Sequence, residues 1–145
     1  SERVPVARLG RRSSYVVDED GYIFRQVGGL YRLPYISGYS RVKSAGDKIT
    51  GFGLSAVNVL DQCAREPRLG IEIESVEVER DGTLLLILQD RKPVAFSWEG
   101  IGEASRESRE NMIERLVDLS GALKKAQGIE SGMLNFTLNK SAYGS

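Results

Sequence analysis

Three consecutive acids, Asp18, Glu19 and Asp20, stand directly ahead of Gly21 in the stretch YVVDEDGYIF. Side-chain oxygens this close suggest a hard cation, and the most demanding form of that chemistry is the calcium loop. It needs ligands at loop positions 1, 3 and 5, glycine at 6 and a bidentate glutamate at 12. With Gly21 at position 6, Val16 and Val27 fall on the first and last positions. Starting at Asp18 instead puts Ile23 where glycine belongs and Gly29 at the end. Neither register works. Read as a two-residue Asp20-Gly21 turn, the stretch pairs Glu19 with Tyr22, Asp18 with Ile23 and Val17 with Phe24. Neighbouring strand residues point to opposite faces, so the acids then diverge.

Other groups meet similar tests. Glu72, Glu74, Glu77 and Glu79 suggest paired carboxylates for acid and base work. Alternation along a half-exposed strand accounts for them more simply. Gly51-Phe52-Gly53 is reminiscent of a phosphate-binding turn, but the third glycine of a dinucleotide fingerprint is missing and no clear strand leads into it. Cys63 is the only cysteine, which excludes an intrachain disulfide and any multi-cysteine zinc site. The chain has no histidine, so the commonest general base and the usual partner of a nucleophilic serine or cysteine are both missing. Neither GxxxxGK[ST] nor GxSxG nor HExxH occurs. The expectation is a chain without catalytic residues, cofactor or metal.

Composition narrows the class further. The 145 residues, 41% hydrophobic, suffice for one core and fit a single domain spanning 1–145. Twenty basic and twenty acidic side chains cancel, so no overall field favours nucleic acid. The longest apolar run is LLLIL at 84–88, far short of the roughly 20 residues that span a bilayer. The opening SERVPVARLG, without an initiator methionine, is expected of a piece cut from a longer protein.

Periodicity supplies the elements that position these residues. Ala56, Val57, Leu60, Cys63 and Ala64 recur at steps of three and four, predicting a helix over 54–65 that ends before Pro67. Cys63 lies on its apolar stripe and reads as a small buried hydrophobe. A second helix is predicted over about 105–126, with Ile113, Leu116, Val117 and Leu123 inward, Ser105 or Ser108 as cap and Gly128 as its stop. VEVERDGTLLLIL at 76–88 predicts a hairpin turning on Asp81-Gly82, with Val78 opposite Leu85 and Val76 beside Ile87. That register sets Leu84, Leu86 and Leu88 on the other face, which then needs a cover. The apolar parity changes across Ser75, so a bulge is expected there. VAFSW at 94–98 forms the next strand, and MLNFTL at 133–138 the last. Between the first hairpin and the first helix runs a loop rich in Gly, Ser and Tyr. The order of elements predicts an α+β fold, a mixed or antiparallel sheet of hairpins with two helices packed on it.

One family shows these pieces in this order. ERVPVARLG, then SYVVDEDGYIF, then RLPYISGY resembles the start of the extracytoplasmic β domain of the bacterial cell-division family FtsQ, also named DivIB. SAVNVLDQCARE, VEVERDGTLLLIL, VAFSW, NMIERLVDLSGALKKA and MLNFTLNK continue the resemblance over nearly the whole chain. It implies a noncatalytic scaffold of the division complex on the periplasmic side of the inner membrane. The membrane segment would lie outside this chain, and residues 1–9 would close a preceding polypeptide-transport-associated domain. It implies FtsB-like and FtsL-like bitopic partners, which add a strand to the C-terminal sheet edge. By position the partner surface falls on Met133, Leu134, Asn135, Phe136, Thr137, Leu138, Asn139 and Lys140. Where relatives often show Asp, Arg and Tyr, this chain has Asn135, Thr137 and Leu138. A different reading, a small glycan- or peptidoglycan-binding module, would use the aromatic rings of Tyr31, Tyr35 and Trp98, with Tyr39 in the same loop.

Overall fold

The structure, a computed structural model, describes residues 3–38, 44–90 and 92–134, and for Tyr31 and residues 129–134 the backbone alone. In chain order the elements are β1 (Ala7–Arg8), β2 (Tyr15–Val17), β3 (Ile23–Arg25), a 3-10 turn (Leu30–Arg32), β4 (Tyr35–Ser37) and α1 (Gly51–Arg65). A second 3-10 turn (Pro67–Leu69), β5 (Ile73–Val78), β6 (Leu84–Leu88), β7 (Pro93–Phe96) and α2 (Arg106–Leu134) follow. The strands form one sheet in the order β3-β2-β1-β4-β5-β6-β7. β4 runs parallel to both β1 and β5, and the other pairings are antiparallel. The chain is therefore α+β, a seven-stranded mixed sheet with two helices packed on it.

Both predicted hairpins form, and each loop is one residue longer than a two-residue turn. Val17 pairs with Ile23, and Val78 with Leu84. In the first loop the Gly21 N–H donates to the Asp18 carbonyl, and in the second the Gly82 N–H donates to the Glu79 carbonyl. Gly21 (φ 92°) and Gly82 (φ 89°) both sit in left-handed backbone. A glycine there closes a three-residue loop, which is the next commonest hairpin after the two-residue kind. The shift of one residue settles the leucine problem. Leu84, Leu86 and Leu88 share a face with Val78, Val76 and Ile73, and all six are buried. Full burial of one such side chain is worth about 1.5–3 kcal/mol. The register irregularity expected at Ser75 falls between Ile73 and Ser75.

The helices add their own residues to this core. α1 buries Val57, Leu60 and Cys63 as predicted, but also Val59 and Ser55, while Ala64 is exposed. The loop leading to α2 covers that extra side, and the Gly102 N–H donates to Ser55 Oγ at 2.9 Å. α2 is anchored by a stripe at steps of four. Met112 and Leu116 enter the core, and Ser108 and Ser120 bond to backbone at either end. Ser105 Oγ accepts from the Ser108 N–H at 3.1 Å and so caps the helix. Val117 is 54% exposed, against expectation. Gly128 does not end the helix either. An interior glycine costs only about 1 kcal/mol relative to alanine, Gly128 lacks the positive φ of a helix stop, and the helix continues to Leu134. No helix among the described residues is long and apolar enough to cross a membrane.

Candidate functional site

The acids of the first loop are held by protein groups. Asp18 is 5% exposed, and its Oδ1 accepts from the N–H groups of Asp20 (3.0 Å) and Tyr22 (2.9 Å). Its Oδ2 receives Arg3 Nη1 at 2.5 Å. Burial alone would push the Asp18 carboxyl up, but the Arg3 bond and the two backbone donors outweigh it and hold the group below the usual carboxylate range. Glu19 turns away and pairs with Arg65, which also binds Asp61. Asp20 is exposed. Among the described residues no three acids or thiols gather as a ligand set.

The other sequence candidates separate as well. Glu72 and Glu74 line different clefts, and Glu77 and Glu79 stand exposed. Cys63 is buried, and burial pushes its thiol up to about 12, leaving it protonated at neutral pH. Phe52 lies against Gly82 and Gly102, where an added Cβ would meet its ring at 2.5 and 2.8 Å, so the Gly51-Phe52-Gly53 turn is a packing device.

Trp98 does not present a ring to a sugar. It is 7% exposed, its Nε1 donates to Ser108 Oγ at 3.0 Å, and it contacts Phe96 with ring centroids 5.7 Å apart. This corrects the glycan expectation at its tryptophan. Tyr35 is half-buried under the Arg8 guanidinium, while the Tyr31 side chain and Tyr39 lie outside the described residues. Ser108 Oγ also donates to the Gly100 carbonyl at 2.6 Å. Ser108→Ala strands the buried indole N–H, with an expected loss of about 1–2 kcal/mol. Chemical denaturation followed by Trp98 emission measures it, and an unchanged midpoint would refute the role.

The two sheet edges differ. β3 is covered by the segment before α1: the Ile23 N–H donates to the Asp47 carbonyl, the Gly46 N–H to the Ile23 carbonyl and the Ile49 N–H to the Gly21 carbonyl. At the other end, the Leu88 N–H donates to the Lys92 carbonyl. Antiparallel alternation then turns the backbone groups of Val94 and Phe96 toward β6 and those of Pro93 and Ala95 outward. Ala95 thus offers one N–H and one C=O, and Pro93 one C=O, with no strand beside them among the described residues. A proline in a β-rich run is an edge signal, and Pro93 was that signal in the sequence.

The partner residues expected at the C-terminus are only partly described. Met133 and Leu134 lie in the last turn of α2, not in a strand, because the helix runs on past Gly128. Asn135, Phe136, Thr137, Leu138, Asn139 and Lys140 lie outside the described residues. No protein-family model matches the chain, and no curated protein matches it either.

Proposed function

We propose that the chain is a noncatalytic extracytoplasmic scaffold, similar to the FtsQ/DivIB β domain, that takes up an extended strand from a small bitopic partner. One observation carries the reading: among the described residues one sheet edge, β3, is bonded by the segment at 44–49, and the other, β7, has no strand beside it. Strand addition draws affinity from backbone hydrogen bonds, so it tolerates drift in side-chain type. The order of motifs from ERVPVARLG to VAFSW supports the same family of partners, FtsB-like and FtsL-like proteins. The membrane anchor belongs to a segment outside this chain.

The test is titration of the chain with the extracytoplasmic segments of the FtsB-like and FtsL-like proteins from the same organism. Ala95→Pro removes the outward N–H from an edge strand, where proline is tolerated. Binding should weaken at least about tenfold, the loss of roughly one backbone bond, with the melting temperature little changed. Ala95→Ser should bind as the wild type does. If neither segment binds the wild type, the scaffold reading fails. If both bind and Ala95→Pro is silent, the β7 placement fails.

A further inference from the structure

We propose a second interaction site, at the end of the sheet where β4 and β5 begin: a docking cleft for an acidic peptide segment that carries an apolar side chain beside its carboxylates. It does not depend on the β7 edge.

Four arginines gather there although the chain as a whole is neutral. A cleft of about 430 Å³ is lined by Arg8, Arg11, Arg12 and Arg32, with Tyr35 and a single acid, Glu74. Arg8 is the keystone. Its Nε and Nη2 donate to the Leu33 carbonyl at 3.1 and 2.8 Å, its Nη1 donates to the Arg11 carbonyl, and its guanidinium lies 5.4 Å from the centre of the Tyr35 ring. It thereby ties the β1–β2 loop, which carries Arg11 and Arg12, to the turn that carries Arg32. Elsewhere arginines close on acids, as Arg3 does on Asp18, Arg65 on Asp61 and Arg115 on Asp118. Among the described residues neither Arg11 nor Arg12 has an acidic partner. Both are exposed. The exposed guanidinium forks of Arg11 and Arg12 at the rim of this cleft match carboxylates, which arginines bind in pairs of parallel hydrogen bonds.

The neighbouring cleft specifies the rest of the ligand. It holds about 310 Å³, is lined by Leu60, Cys63, Ile71 and Ile73, and shares Pro34 and Gln89 with the basic cleft. Each volume falls in the range of pockets that bind organic ligands, and a lone inorganic anion would leave most of both unfilled. A peptide with one apolar residue next to acids fills both. A membrane surface suits the site less well. Interfacial binding needs apolar side chains to insert, and the exposed large hydrophobics Val4, Tyr22, Val27, Phe52 and Val117 line neither cleft.

The probe is a fluorescein-labelled heptapeptide of glutamates around one central leucine, followed by anisotropy. Saturable binding that weakens with salt is expected. Arg11→Ala with Arg12→Ala should weaken it at least about tenfold through loss of charged hydrogen bonds. Replacing the peptide leucine by serine should cost a similar factor through lost burial. Arg80→Ala with Arg106→Ala, which removes two exposed arginines that line neither cleft, should leave binding unchanged. Ala95→Pro should leave it unchanged too, which separates this site from the β7 reading. The proposal is overturned if the peptide fails to bind, or if binding ignores Arg11 and Arg12. It is equally overturned if 10 mM inorganic phosphate displaces the peptide completely, or if phosphatidylserine vesicles bind through Arg11 and Arg12 while the peptide does not.

Discussion

Gly38→Ala is expected to destabilise the fold by about 3 kcal/mol or more, the largest effect of an added methyl at any glycine whose surroundings are described. Gly38 follows β4 with φ at 82°, a conformation that costs an L-residue roughly 1–2 kcal/mol. Space is the larger difficulty. An added Cβ would stand 2.4 Å from the Val78 carbonyl oxygen and 3.0 Å from the Val78 nitrogen. Both neighbours are backbone, so relief requires β4 to move off β5, the centre of the sheet, where Ile36 pairs with Val76 and Ser37 with Glu77. Gly28→Ala supplies the control. Gly28 has φ at 86° but nothing within 4 Å of its Cβ position, so it carries the conformational cost alone, about 1–2 kcal/mol. Urea midpoints for the two variants decide the matter, and equal losses would remove the role assigned to close packing.

Asp18→Ala is expected to cost about 2–3 kcal/mol at neutral pH, since one side chain satisfies Arg3 and two turn amides together. Its pH signature is more specific. The folded carboxyl lies below its ordinary value of 3.8, so the folded state favours the ionised form. That stability is fully present above the ordinary value and is lost as pH falls through the lower folded value. Wild type should therefore lose stability below about pH 4 more steeply than Asp18→Asn, which has no proton to bind there. Parallel acid limbs in the two proteins would show that Asp18 is not a linked group.

The same loop shows how far sequence carried the fold. Asp-Gly between β-rich runs located both hairpins, yet a dipeptide cannot say whether glycine is the second residue of a short turn or the left-handed third of a longer one. The choice reverses which residues share a face, and it was the three leucines of β6 that held the clue. All of them needed a buried face, and only the longer loop gives them one together with Val76 and Val78. Helix positions were legible in the apolar spacing, whereas Val59 and Val117 were not, because what covers a helix depends on neighbours distant in sequence. The site was less legible still. Pro93 marked an edge strand in plain view, but the arginines meet only when the β1–β2 loop and the turn before β4 are drawn together by Arg8. Local pattern holds no trace of that convergence.

The unequal edges of the sheet also set a valence. A sheet open on both sides can act as a link in a chain of strands without limit, which is the route to fibres. Here the segment at 44–49 occupies one side, and Pro93 removes a donor from the other. The described sheet can therefore be extended in one direction only. Two copies meeting through β7 would close as a two-fold pair. By strand addition alone, the described sheet joins a partner at β7.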